Sequence, residues 1–308
     1  MNILILGIGC ILSSFLFLIP LHEVTAQSLP DFNFVAVGDW SCNEKTDTTV
    51  TSILEKNPEV ILALGDYSYQ DTADCWFELV EPIDDKLKIS FGNHDVQYQK
   101  LETENQELRQ QYLEHFNLEK EYYSFNFQNV HFIVLSTEPY HIEDPEQYTF
   151  LETDLQGAKE NPDTDWIVVF YHKLAYTSPN NVVTAHPELR DPYHQVFEKY
   201  GVDLVLQGHL HAYERSYPIK FNPEDPSNPI ITDNSTNNYF DPDGQIYATV
   251  GTGGAHLHNF MGQKVPYMIS QYLGWGFLNI DIIDEGKILI AKFYSNDGTV
   301  LDQFGIAK

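Results

Sequence analysis

Seven apolar runs leave this chain few folds to choose from: FNFVAVG (32–38), EVILALG (59–65), LKISFG (87–92), VHFIVLS (130–136), DWIVVFYH (165–172), VDLVLQG (202–208) and QIYATVG (245–251). They barely alternate, so the strands they predict are covered by protein on both faces, which is the layered α/β arrangement. Between them TTVTSILEKN (48–57), ENQELRQQYLEHF (104–116), YTFLETDLQGAKEN (148–161) and PYHQVFEKY (192–200) carry apolar residues at helical spacing. Near the end GFLNIDIID (276–284) and KILIAKFYS (287–295) alternate with a period of two, as antiparallel strands do. The expected class is α/β with mixed sheets. No internal repeat or low-complexity linker breaks the pattern, so residues 30–308 are expected to form one domain.

The first 26 residues read differently. Ile3 to Ile19 is almost wholly apolar, Pro20 interrupts it, and Val24-Thr25-Ala26 supplies small residues ahead of Gln27. Residues 1–26 are thus expected to be a signal peptide cleaved after Ala26, giving a secreted or extracytoplasmic protein. No Lys or Arg precedes the run, and its 17 residues approach the length that spans a membrane. If the segment is not cleaved, it anchors the chain to the membrane and still leaves the remainder outside the cytoplasm.

Charge removes one class of partner. Seventeen Lys and Arg against 45 Asp and Glu give a net charge of -28 at pH 7, and that field repels a polyanion, so no nucleic-acid partner is expected. The acidic residues are dispersed without a long run, as on a solvated surface.

The residues just past the strand ends carry the chemistry. FVAVGDW ends in Asp39, ILALGDYSY in Asp66, ISFGNHD in Asn93-His94-Asp95, VVFYH in His172, and LVLQGHLH in His209 and His211. Taken singly, each has a structural reading: an Asp after a strand caps a helix, Gly-Asn makes a turn, and a strand histidine can be a satisfied core residue. Five in order, each at the C-terminal end of a buried strand where open α/β sheets bind ligands, point to a metal site. A Gly before Asp39, Asp66, Asn93 and His209 permits a sharp turn, and His209 and His211, two apart in extended chain, share a face. His256 and His258 form a second His-x-His in the Gly-rich GTGGAHLHNF, a loop expected to border the same pocket, and His186 lies in the long loop after His172. His115, His131, His141 and His194 have the pattern of core or surface residues.

In order, GDW, GDYSY, GNHD, VFYH and GHLH resemble the motifs of the purple acid phosphatases within the calcineurin-like metallophosphoesterases. YYSFNFQNVHFIVLSTE, FEKYGVDLVLQGHLHAYERSYPI and YATVGTGGA extend the resemblance over roughly residues 31–300, and the chain is similar to the short, single-domain form. The resemblance implies two mixed β-sheets packed face to face and flanked by helices, a four-layer αββα fold. It also implies that Asp39, Tyr69 and His211 hold one metal ion, that Asn93, His172 and His209 hold a second, and that Asp66 bridges them. Carboxylate and phenolate oxygens suit Fe(III), whereas two imidazoles and an amide suit a divalent Fe, Zn or Mn. Spacing alone does not separate Tyr69 from Tyr67; only the family pattern selects Tyr69. Ser41 stands where the family more often has Gly.

The implied activity is hydrolysis of a small phosphomonoester, in the acid range, by attack of a metal-bound hydroxide. His94 is the expected proton donor to the leaving group, with Asp95 orienting it. A phosphodiesterase or nucleotidase on the same site is the nearest alternative. A non-catalytic metal-containing binding protein is the alternative of another class, and it would be expected to lack a ligand or the donor. Once the signal is removed, Cys42 and Cys75 remain, each in a loop just past a site-forming strand; outside the cytoplasm they are expected to form a disulfide, with the strands ending at Asp39 and Asp66 adjacent.

Overall fold

The computed structural model describes residues 29–96, 102–138 and 143–308, with side chains from 107 onward in the second stretch. The expected signal peptide, Cys10 and His141 lie outside the described residues. Among those described the elements run β1 (Phe32–Val37), α1 (Glu44–Leu54), β2 (Val60–Ala63), α2 (Asp74–Val80), β3 (Leu87–Ile89), α3 (Asn93–Val96), α4 (Glu102–His115), β4 (Tyr123–Phe127), β5 (Val130–Val134), α5 (Pro145–Glu160), β6 (Trp166–Phe170), α6 (Pro187–Tyr200), β7 (Leu204–Gln207), β8 (Tyr213–Ser216), β9 (Ile219–Lys220), β10 (Ile230–Ile231), β11 (Asn238–Phe240), β12 (Ile246–Val250), β13 (Met268–Tyr272), β14 (Gly276–Ile283), β15 (Ile288–Ser295) and β16 (Val300–Ala307). No helix among them is long and apolar enough to cross a membrane.

Two sheets of seven strands form, ordered β11-β16-β15-β14-β1-β2-β3 and β13-β8-β12-β7-β6-β5-β4. Strands β1, β2 and β3 run parallel, as do β5, β6, β7 and β12. The period-two segments expected near the end are the antiparallel pair β14 and β15, and β15 alternates strictly between buried and half-buried residues. Both sheets are therefore mixed, as the resemblance implied.

Side-chain alternation along the strands sets the layers. Phe132, Val168, Phe170, Leu204 and Leu206 point inward and share one core with Phe34, Ala36 and Leu62 of the facing sheet. Phe34 meets Phe132 edge-on at 5.1 Å and Tyr213 stacks on Phe293 at 4.0 Å, closing the space between the sheets. Each such buried ring contributes about 1.5–3 kcal/mol. The intervening residues Ile133, Val169 and Val205 point outward, into a second core with Leu151 and Leu155 of α5 and Val196 and Phe197 of α6. On the other side Val50 and Ile53 of α1, Trp76 of α2 and Tyr112 of α4 cover the first sheet.

Strands β1 and β2 are neighbours, and the loops that leave them lie side by side. The N–H groups of Asp39, Trp40 and Ser41 donate to the carbonyls of Gly65, Asp66 and Tyr67 at 3.0, 2.9 and 2.7 Å. A Cys42–Cys75 disulfide, Cα–Cα 5.8 Å, closes this zipper, in agreement with the sequence expectation. It constrains a segment of 33 residues in the unfolded chain. Replacing both cysteines by serine is expected to cost about 2–4 kcal/mol, measured by urea unfolding; a loss under about 0.5 kcal/mol would show that the bridge constrains little.

Candidate metal centre

The parallel strands of both sheets end at one edge, and the side chains beyond them converge. Asp39 follows β1, Asp66 and Tyr69 follow β2, Asn93 opens α3 after β3, His172 follows β6, and His209 and His211 follow β7. Two donor sets result, Asp39-Asp66-His211 and Asp66-His172-His209, each with its ligand atoms within 4.8 Å of one another and both containing Asp66.

The backbone bends unusually to achieve this. Asp39, Ser41, Asp66, Tyr69 and His209 all lie in the left-handed region, with φ of 57°, 87°, 55°, 56° and 69°. Non-glycine residues there are held by their surroundings, and such strain gathers where side chains must be aimed. Glycine is required next to them for space: a Cβ on Gly92 would stand 2.2 Å from Asp66 Oδ1, and one on Gly65, itself at φ 86°, would stand 2.7 Å from His172 Nδ1. Ser41 carries the left-handed cost without a donor to aim. A left-handed non-glycine residue costs roughly 1–2 kcal/mol, against roughly 0.5–1 kcal/mol for the extra unfolded-state freedom of glycine. Ser41→Gly is therefore expected to stabilise the protein by up to about 1.5 kcal/mol in urea unfolding, and a destabilised variant would contradict the strain assignment.

Hydrogen bonds sort four of the donors, Asp39, Asp66, His172 and His211, into a half that holds the backbone and a half that faces the centre. Asp39 Oδ2 accepts from the His209 amide at 2.8 Å, leaving Oδ1 toward His211 Nε2 at 3.2 Å. Asp66 Oδ1 accepts from the His94 amide at 2.7 Å, leaving Oδ2 toward His172 Nε2 at 3.2 Å. His172 Nδ1 donates to the Leu64 carbonyl at 2.8 Å, and His211 Nδ1 to the His256 carbonyl at 2.5 Å. A carbonyl can only accept, so in each neutral ring the inward Nε2 presents a lone pair.

These lone pairs fit a cation. His172 Nε2 lies 3.2 Å from Asn93 Oδ1 and 3.1 Å from His209 Nδ1, while Tyr69 Oη lies 3.4 Å from Asp39 Oδ1, 3.4 Å from Asp66 Oδ2 and 2.9 Å from His211 Nε2. Donors at about 2.1 Å from a metal ion and about 90–110° apart stand about 3.0–3.4 Å from one another. Electrostatics agree. Burial alone would lower the basicity of His172, but Asp66, together with Asp39 and Glu138, outweighs it and holds the ring above its ordinary value. Burial would raise Asp66, but the surrounding imidazoles, His172 foremost, together outweigh it and hold that carboxyl below the usual range. Burial, with Asp66 and Asp39 close by, pushes the Tyr69 phenol well up, a shift that a bound cation reverses.

The remaining positions separate clearly. Tyr67, the competing phenol, is buried with its hydroxyl on the Ala63 and Ser90 carbonyls, away from the cluster. His94 is exposed at the mouth, its ring 4.3 Å from that of Tyr69. Asp95, expected to orient His94, instead turns inward: its carboxylate accepts from the amides of Asp66 (2.7 Å), Tyr67 (2.9 Å) and Gly92 (2.9 Å), clamping two ligand loops together. The ring of His186 lies 6.0 Å from that of His209, and His258 stacks on His211 at 3.8 Å. Elsewhere His115 pairs with Asp84, His131 with Asp154 and His194 with Tyr176, as structural residues do. Glu138 closes a stretch that carries the resemblance, YYSFNFQNVHFIVLSTE, but nothing in its own spacing ties it to the site. It is wholly buried beside the site with its carboxylate 3.3 Å from the Lys173 ammonium, and burial, only partly offset by Lys173, lifts it to about 7.

Comparison with known proteins supports the resemblance seen in the motifs. Residues 32–213 match the calcineurin-like phosphoesterase family. Purple acid phosphatase 22 of Arabidopsis thaliana is 29% identical over 242 residues, covering 75% of this chain and 52% of that protein. A second Arabidopsis thaliana protein, probable inactive purple acid phosphatase 1, is 30% identical over 198 residues, 62% of this chain and 31% of that protein. The chain thus spans about half or less of the length of these relatives. Purple acid phosphatase PPD1 from yellow lupin seeds superposes with a TM-score of 0.78 over 91% of this chain and 54% of that one, at 22% identity, and so shares the fold.

Proposed function

The chain belongs to the calcineurin-like phosphoesterase family, and from that premise we propose that it is a secreted phosphatase that holds two metal ions and hydrolyses small phosphomonoesters in the acid range. One observation supports this most: two complete donor sets that meet at Asp66. Asp39, Tyr69 and His211 are the donors for a hard ion such as Fe(III), and Asn93, His172 and His209 those for a divalent Fe, Zn or Mn, with Asp66 serving both. When bound, two ions supply Lewis acidity toward phosphoryl oxygens and lower the pKa of water in the site.

The chain's own residues account for the rest. The Asp95 carboxylate braces the loops carrying Asp66, Tyr69 and Asn93, so the donors are held before any ion arrives. His94 is anchored through its amide to Asp66 Oδ1 while its exposed ring stands at the entrance, where it can hand a proton to the leaving oxygen. The Cys42–Cys75 bridge and the apolar segment 1–26 support an oxidising location. A purely binding role is disfavoured because all seven donor positions and His94 are filled.

The test compares metal-replete protein on p-nitrophenyl phosphate and on its bis ester across pH. Faster hydrolysis of the monoester, with the maximum below neutrality, is expected. Preference for the bis ester would reassign the site to diesters, and no hydrolysis of either by protein containing two ions would overturn the enzyme reading.

A further inference from the structure

The loop after β12 carries the second His-x-His, and it approaches only one half of the centre. Gly253 donates its N–H to the Gly38 carbonyl at 2.8 Å, and Gly254 and Ala255 donate to the Asp39 carbonyl at 3.0 and 2.9 Å. The loop is thereby fixed to the turn that carries Asp39. His256 accepts His211 Nδ1–H on its carbonyl. His258 makes three further contacts with His211. Its ring stacks on the His211 ring with centroids 3.8 Å apart and planes 12° apart, its Nδ1 accepts the His211 amide N–H at 3.3 Å, and its own N–H donates to the His211 carbonyl at 3.1 Å. Asn93, His172 and His209 have no such contact from this loop among the described residues.

We infer that His258 is a positioning residue for the ion held by Asp39, Tyr69 and His211, an inference that rests on the two-ion reading above. The terminal torsion of a histidine is broad, so one hydrogen bond at Nδ1 leaves the ring able to rock about it. A second ring lying flat against the first removes that freedom. It keeps His211 Nε2 aimed at Asp39 Oδ1, 3.2 Å away, and at Tyr69 Oη, 2.9 Å away. Groups that orient a metal-binding histidine are typically worth roughly 10- to 100-fold in metal affinity. The arrangement is one-sided, so its effect is one-sided: the ion beside His211 depends on His258, and the ion beside His172 does not.

The experiment titrates metal-free, full-length protein with Zn2+ alone against a chromophoric chelator. Wild type is expected to take up two ions per chain. In His258→Ala one of the two binding steps weakens by roughly 10- to 100-fold while the other is unchanged. His258→Phe, which keeps a stacked ring, recovers more of the loss than His258→Asn, which keeps only an acceptor. In an Asp39→Asn background, where the first position is already impaired, His258→Ala has no further effect. A His258→Ala isotherm identical to wild type would overturn the inference, and so would equal weakening of both steps, since that marks general loosening. Wild type binding fewer than two ions would instead overturn the two-ion reading itself.

Discussion

Asp66→Asn is expected to cost the protein both ions at once, because the carboxylate belongs to both donor sets. The fold should survive: asparagine has the same shape, and its oxygen can still accept the His94 amide that now donates to Asp66 Oδ1. What is lost is the charge on Oδ2, the atom facing His172 and Tyr69. Affinity at both positions should fall by at least about 100-fold, the upper end of what outer groups alone contribute. Asp39→Asn is the control, since Asp39 belongs to one set only and its replacement should spare the second ion. Metal analysis of the two purified variants reads the difference, and retention of two ions by Asp66→Asn would refute a shared ligand.

His94→Ala should fail in the opposite manner. The side chain is exposed and outside both donor sets, so both ions should stay while turnover falls by roughly 10²- to 10⁴-fold, the usual worth of a proton donor. The loss should shrink for aryl phosphates, whose leaving group departs without a proton, and be largest for alkyl phosphates. Neighbouring Asn93→Ala, by contrast, should lower metal occupancy. Equal losses for aryl and alkyl substrates in His94→Ala would count against proton donation.

Several features were legible because local chemistry dictated them. The buried strands announced themselves as continuous apolar runs, and although each polar side chain after them has an ordinary structural reading by itself, their recurrence after five strands in order made the convergence of Asp39, Asp66, Asn93, His172, His209 and His211 an expectation of the sequence alone. Adjacent strands β1 and β2 likewise put Cys42 near Cys75. Strand β8 was not legible. Its YERS sequence is polar, yet it is wholly buried, because Glu214 accepts the Ser178 amide and Arg215 pairs with Asp302 of the facing sheet at 2.6 Å. Those partners are distant in sequence, so hydropathy could not show a strand there. The same holds for Asp95, whose three amide donors lie on two loops, and for His258, whose stacking on His211 depends on how the loop after β12 folds back. Tyr67 and Tyr69, two residues apart, send their hydroxyls to different places, one onto the Ala63 and Ser90 carbonyls and the other beside His211, in a loop whose backbone is left-handed at Asp66 and Tyr69.

The most direct test of the two-ion centre is an anomalous diffraction map from crystals of metal-replete protein. Two peaks are predicted, one against Asp39, Tyr69 and His211 and the other against Asn93, His172 and His209, with the Asp66 carboxylate between them. A single peak, or a pair in which Asp66 touches only one, would contradict the account.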